Sequence, residues 1–152
     1  MTENDQKWMR KALAEARLAA AAGEIPVGAV IVRNDEMIAC AHNRCERDGD
    51  ATAHAELLAI RAASCAGKGW RLSDTTLYVT LEPCPMCMGA AINARIGRIV
   101  FAARDARAGA CGSLLDLTAY PLEAHPLCES GLFEEEAQAL LRDFFARLRE
   151  QK

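Results

Sequence analysis

Two short stretches bring together residue types that do chemistry: EPCPMCMGA at 82–90 and TAHAE at 52–56. Cys84 and Cys87 lie three apart where a helix is expected to begin, just after the β-like run TLYVTL at 76–81. At that spacing both sulfurs face one way, and a helix N-terminus favours their thiolate forms. Two such sulfurs are soft metal ligands. A zinc site needs at least a third protein ligand, and a catalytic one keeps its fourth position open for water. His54, at the start of another expected helix, supplies a candidate. Glu56 follows two residues later, and in a first turn its side chain can converge with that of His54 on the space ahead of the helix end. A carboxylate there would hydrogen-bond a zinc-bound water without ligating the metal. Zinc lowers the pKa of bound water to about 7, and a neighbouring glutamate can carry the proton to a ring nitrogen and then to a leaving amine. The chemistry implied is hydrolytic removal of ammonia, with one zinc per chain held by His54, Cys84 and Cys87 and with Glu56 as the catalytic residue.

Each piece also has a plainer reading. The C-x-x-C pair alone is equally a thioredoxin-like redox pair. A closed structural zinc is the stronger rival, because His42 and Cys45 in HNRC offer a second ligand pair with the same spacing. That arrangement would leave His54 and Glu56 without a role. Singly, His54 reads as a satisfied core histidine and Glu56 as a solvated helix carboxylate.

The elements that must position these residues follow from hydrophobic spacing. Trp8, Met9, Ala12, Leu13, Ala16 and Ala20 recur every three or four residues, predicting an amphipathic helix that Gly23 can end. VGAVIV at 27–32 and MIACA at 37–41 predict paired strands around a tight turn at Asn34 and Asp35. A helix is expected from about residue 53 to 66, closed by Gly67 and Gly69. Then come a strand over 77–81, a helix from near Cys84 to Ala94, and a strand over 98–102. Ala137, Leu140, Leu141, Phe144, Phe145 and Leu148 mark one face of a last helix, with Arg142 and Arg149 on the other. This order predicts a mixed sheet covered by helices on both faces. Sites on such sheets lie at the C-terminal ends of strands where helices begin, as Cys84 and His54 do.

Composition narrows the class. The 152 residues, about half of them hydrophobic (51%), predict one domain over 1–152 with one substantial core. The opening MTENDQKWMRK has no apolar leader-like run, and no stretch of eighteen apolar residues occurs, which predicts a soluble cytoplasmic protein with no membrane partner. Seven scattered cysteines argue against a disulfide framework. With a net charge of −3, any nucleic acid must be held by local patches. Arg95, Arg98, Arg104 and Arg107 form one candidate patch, and Arg142, Arg147, Arg149 and Lys152 another; such runs are also ordinary solvated faces. Phe144 and Phe145 can stack on bases, while their spacing places at least one in the core.

His-x-Glu followed by Pro-Cys-x-x-Cys is the established signature of zinc deaminases acting on nucleobases, so here the chain matches a known pattern. It resembles the cytidine deaminase superfamily and, within it, most of all the bacterial tRNA-specific adenosine deaminases that convert the wobble adenosine to inosine. The resemblance runs over nearly the whole chain: EIPVGAVIV at 24–32, HNR at 42–44, ARIGRIVFAARDARAGACGSLLDL at 94–117 and LLRDFF at 140–145. It implies His54, Cys84 and Cys87 as zinc ligands, Glu56 as proton shuttle, Asn43 on the extruded base and Asp105 in a loop beside the RNA. It also implies a three-layer α/β/α domain around a five-stranded mixed sheet, a homodimer with active sites near its interface, and the tRNA anticodon loop as partner. Two positions depart from the family pattern. Asp50-Ala51-Thr52 stands where Asp-Pro-Thr is usual, removing a residue that stiffens the loop, and Met88 replaces a small alanine. A free-base deaminase of the same superfamily, acting on guanine or cytosine, is the nearest rival. A closed-zinc binding module is the rival from another class.

Overall fold

In the computed structural model, which describes residues 1–66 and 69–151, helix α1 (Glu3–Ala21) begins at a capping box. The Thr2 hydroxyl accepts from the Asp5 N–H at 3.2 Å, and the Asp5 carboxylate accepts from the Thr2 N–H at 3.0 Å. Its buried face is Trp8, Met9, Ala12, Leu13, Ala16 and Ala19, close to the predicted stripe. Strands β1 (Gly28–Arg33) and β2 (Glu36–His42) pair antiparallel. Between them Asn34 and Asp35 have φ of 51° and 59°, the left-handed values that a two-residue type I′ turn requires. Gly28 marks a close approach: a side chain there would collide with the carbonyl of Ala12 in α1.

A short helix α2 (Cys45–Asp48) and a loop lead to α3 (Ala55–Cys65); then follow β3 (Thr75–Leu81), α4 (Pro85–Asn93), β4 (Arg98–Ala103), β5 (Leu127–Ser130) and α5 (Glu134–Glu150). The strand order is β2-β1-β3-β4-β5, with β1 antiparallel to β3, and β3, β4 and β5 mutually parallel. Parallel strands need cover on both faces, and the central ones have it. Leu77, Val79, Ile99 and Phe101 face the layer of α3 and α4, while Val30, Tyr78 and Val100 face α1 and α5. The expected three-layer α/β/α arrangement around a five-stranded mixed sheet is the one observed.

Two details differ from the periodicity reading. Strand β5 was not marked by any alternation in LCES; its place comes from pairing, Arg98 with Leu127 through Phe101 with Ser130. The last helix buries only Ala137, so its apolar C-terminal half is not core: Phe145 is 38% exposed and Leu148 40%. Gly67 and Lys152 lie outside the described residues. No helix among the described residues is long and apolar enough to cross a membrane.

Candidate active site

Two helix starts converge. His54 is the N-cap of α3, and Cys84 is the N-cap of α4, with Pro85 at the first helical position, where its missing N–H is not needed. Cys87 lies within the first turn of α4. Neither cap makes a side-chain capping bond, so the imidazole and the thiol stay available to each other. His54 Nδ1 is 3.6 Å from Cys84 Sγ and 3.5 Å from Cys87 Sγ. Two donors bonded to one tetrahedral zinc, at about 2.3 Å for sulfur and about 2.0–2.1 Å for nitrogen, lie about 3.6 Å apart. The trio therefore fits the ion in both donor chemistry and spacing. It is the group among the described residues whose ligand atoms all lie within 4.8 Å of one another.

The electrostatics agree. The Cys87 thiol donates to Cys84 and, with help from His54, pulls the Cys84 pKa down to about 4. The same hydrogen bond, with burial, pushes Cys87 above the ordinary thiol range, and the Cys84 contact raises His54. Glu56, 4% exposed, is pushed up to about 7 by burial, against the lowering effects of its own backbone N–H and of His54. A carboxyl of that pKa both takes and gives protons near neutrality.

The pocket at this junction has a volume of about 150 Å³ and is walled by Asn43, His54, Glu56, Glu82, Cys84 and Asp105, among others. Five of the six expected site residues thus line the pocket, and the sixth, Cys87, is fully buried with its sulfur 3.5 Å from His54 Nδ1. Asn43 donates one amide hydrogen to the Ile25 carbonyl at 3.4 Å and accepts from the Cys45 N–H at 3.2 Å, leaving its second amide hydrogen free for a ligand. Asp105 sits in an Asx turn, accepting from the N–H groups of Arg107 at 2.9 Å and Ala108 at 3.2 Å. The rival ligand pair does not join the trio: His42 Nδ1 contacts Glu15 at 3.0 Å, and Cys45 turns to the Ala51 carbonyl.

Residues 3–149 match the MafB19-like deaminase family. The chain belongs to that family. Among relatives of this MafB19-like deaminase, the tRNA-specific adenosine deaminase of Bacillus subtilis (strain 168) is 45% identical over 97% of this chain and 92% of its own length. A solved structure from work on A-to-I editing by tRNA:A34 deaminases at the wobble position of transfer RNA has a TM-score of 0.86 at 42% identity, covering 89% of this chain and 99% of that chain. A guanine deaminase from Nitrosomonas europaea has a TM-score of 0.78 at 27% identity, covering 93% of this chain and 84% of that chain.

The two departures from the family pattern have local answers in this MafB19-like deaminase. Ala51 lacks proline's stiffness, but Asp50 Oδ1 accepts from both the N–H of Thr52 at 2.8 Å and its hydroxyl at 2.7 Å, which fixes the turn. Met88 is fully buried and packs its sulfur 3.4 Å from Cys111 Sγ. Two buried carboxylates beside the pocket escaped the sequence reading, Glu24 and Glu82, each 2% exposed. For Glu82 the available signal was an acidic residue placed directly after an apolar strand. Two of the basic candidates are otherwise engaged: Arg98 pairs with Asp5 and Glu129, and Arg95 donates to the Asn93 carbonyl and lies over Trp70.

Proposed function

We propose that this protein is a zinc-dependent hydrolase that deaminates adenosine to inosine at the wobble position of tRNA, with His54, Cys84 and Cys87 holding one zinc per chain. The observation that carries the reading is a buried glutamate, Glu56, in the same small pocket as a His/Cys/Cys donor set. Bound there, zinc supplies Lewis acidity and an activated water at neutral pH. Glu56 would take one proton from the attacking water and deliver it to the purine ring nitrogen, then carry the proton of the new C6 hydroxyl to the departing amine, so that adenosine and water become inosine and ammonia. Asn43 offers its free amide hydrogen to the base, and Asp105 flanks the entrance.

The pocket's size supports an extruded base. At about 150 Å³ it is well below the roughly 300–1,000 Å³ of sites for larger ligands. It takes one ring system, while ribose and phosphates stay outside, as in enzymes that flip a base out of its stack. Outside lie two grooves that meet at Ile25 and Phe145. One is lined by Arg104, Arg107 and Leu141, the other by Phe144 and Leu148. Phe144 and Phe145 meet edge to face with centroids 5.4 Å apart, and the exposure of Phe145 leaves apolar ring surface for stacking on a neighbouring base. The relatives named for tRNA deamination support the tRNA anticodon loop as the partner. Residues 1–152 form one deaminase domain, cytoplasmic and homodimeric, in this reading.

The test offers tRNA bearing a wobble adenosine beside free guanine, cytosine and adenosine, following inosine by mass spectrometry and ammonia release. Inosine at the wobble position is the expected result. Efficient turnover of guanine with no inosine in the tRNA would replace this reading with the free-base deaminase.

A further inference from the structure

Two segments flank the pocket, and each is tied to a buried carboxylate that takes no part in the chemistry above. On the Asn43 side, Glu24 accepts from the N–H groups of Glu46 at 2.9 Å and Arg47 at 2.7 Å. On the other side the arrangement is denser. Glu82 follows directly on β3, two residues before Cys84. Its Oε1 accepts from the Asp105 N–H at 3.1 Å and from the Ser113 hydroxyl; its Oε2 accepts from the N–H groups of Cys111 at 3.0 Å and Ser113 at 3.1 Å. The segment between β4 and β5 therefore wraps around one carboxylate. Gly109 makes the wrap possible, because a side chain there would run into the Glu82 carboxylate and the Asp105 carbonyl.

We infer that Glu82 is a positioning residue that sets the substrate wall of the pocket by holding residues 104–113 in place. Its partners fix where Asp105 stands, and Asp105 and Ala108 line the pocket. Arg104 and Arg107, on the same segment, line the adjoining groove. The segment carries neither a zinc ligand nor the proton shuttle. Loosening it therefore displaces substrate contacts and leaves the reacting groups in place. A carboxylate suits this task because it is acceptor-only, with two oxygens able to take all four donors at once. The amide of a glutamine cannot: with its NH₂ at the Oε1 position the Ser113 hydroxyl can turn to accept, but the Asp105 N–H is left without its acceptor.

The inference rests on the deaminase reading for its kinetic half and stands on the loop alone for the other half. Glu82→Gln is compared with wild type in zinc content, trypsin cleavage after Arg104 and Arg107, and steady-state kinetics on an anticodon-stem-loop RNA with a wobble adenosine. Expected are wild-type zinc content, cleavage at those two arginines faster by about tenfold, and KM raised by about tenfold with kcat within about threefold, a tenfold change being roughly 1.4 kcal/mol. Ser113→Ala, which removes one donor and leaves the carboxylate, should shift the same two quantities by less, and it keeps the test alive should Glu82→Gln fail to fold. Unchanged cleavage at Arg104 and Arg107 overturns the anchoring, whatever the substrate. Faster cleavage with KM unchanged reduces Glu82 to a structural residue and overturns the positioning role. Should the wild type deaminate a free base and not the RNA, the substrate reading has failed, and the same KM-against-kcat split is then read on that base.

Discussion

Two buried polar clusters sit on opposite faces of the sheet, and they handle charge in opposite ways. Beneath α1, Asp5 accepts from Arg98 at 2.7 and 2.9 Å and from the Tyr78 hydroxyl at 2.7 Å, while Arg98 also donates to Glu129 at 2.7 Å. The Arg98 guanidinium holds the Asp5 carboxyl well below the usual carboxylate range, and burial together with Asp5 raises Tyr78. Both carboxylates in this cluster bond the same guanidinium. At the starts of α3 and α4, the protein instead gathers two thiols, an imidazole and a carboxyl pushed up to about 7 by burial. The charges that act on this carboxyl are those of His54 and Cys84. The first cluster sets its carboxylates against one guanidinium and ties α1 to β3, β4 and β5; the second is a donor set whose chemistry calls for a divalent cation.

Glu56→Gln is the sharpest way to break this contrast. It should lower turnover by about 10²–10⁴-fold, the contribution of a positioned general acid-base group, with zinc content and melting temperature held near wild type. Near-wild-type deamination by the zinc-loaded variant would remove Glu56 from the mechanism. Asp5→Ala should do the reverse. It should destabilise the protein by about 3 kcal/mol, the low end for breaking a buried ion pair, because Arg98 is 27% exposed and keeps Glu129. Turnover per folded molecule should not change, and urea unfolding with activity measured below the transition separates the two effects.

The pH dependence of stability sharpens the same difference. The folded-state pKa of Asp5 is depressed from 3.8, so its stabilisation is fully present above that value and is lost as pH falls through the folded pKa. Wild type should therefore lose stability steeply below about pH 4, and Asp5→Asn should show a shallower loss over the same interval, both read by urea midpoints. The smallest effect concerns the rim. Charge removal at Arg104 or Arg107 should weaken RNA binding and reduce the slope of log affinity against log salt by about 0.7 per lost phosphate contact. Asn43→Ala should impair deamination with little change in that slope.

The chemical core was legible because it is local. His54 with Glu56, and Cys84 with Cys87, are each contained in one turn at a helix start, where short spacing fixes direction. The hairpin at Asn34 and Asp35 and the buried face of α1 were legible for the same reason. What escaped depends on partners distant in sequence. Glu82 takes its donors from 23 to 31 residues away, and β5 is a strand only because β4 offers it an edge. Arg98 looked like part of a basic patch, yet its main partner lies 93 residues away on α1. In α5 the apolar spacing was real, but spacing cannot tell a core face from one left at a groove.

The most direct measurement is zinc content per chain in wild type, Cys45→Ser and Cys84→Ser, purified alike and checked for folding by circular dichroism. One zinc in wild type and in Cys45→Ser, with loss in folded Cys84→Ser, is the expected result, because among the described residues it is the His54, Cys84 and Cys87 donors that have the spacing of a shared ion. Retention in Cys84→Ser with loss in Cys45→Ser would move the metal to the His42 and Cys45 pair and contradict the account at its centre.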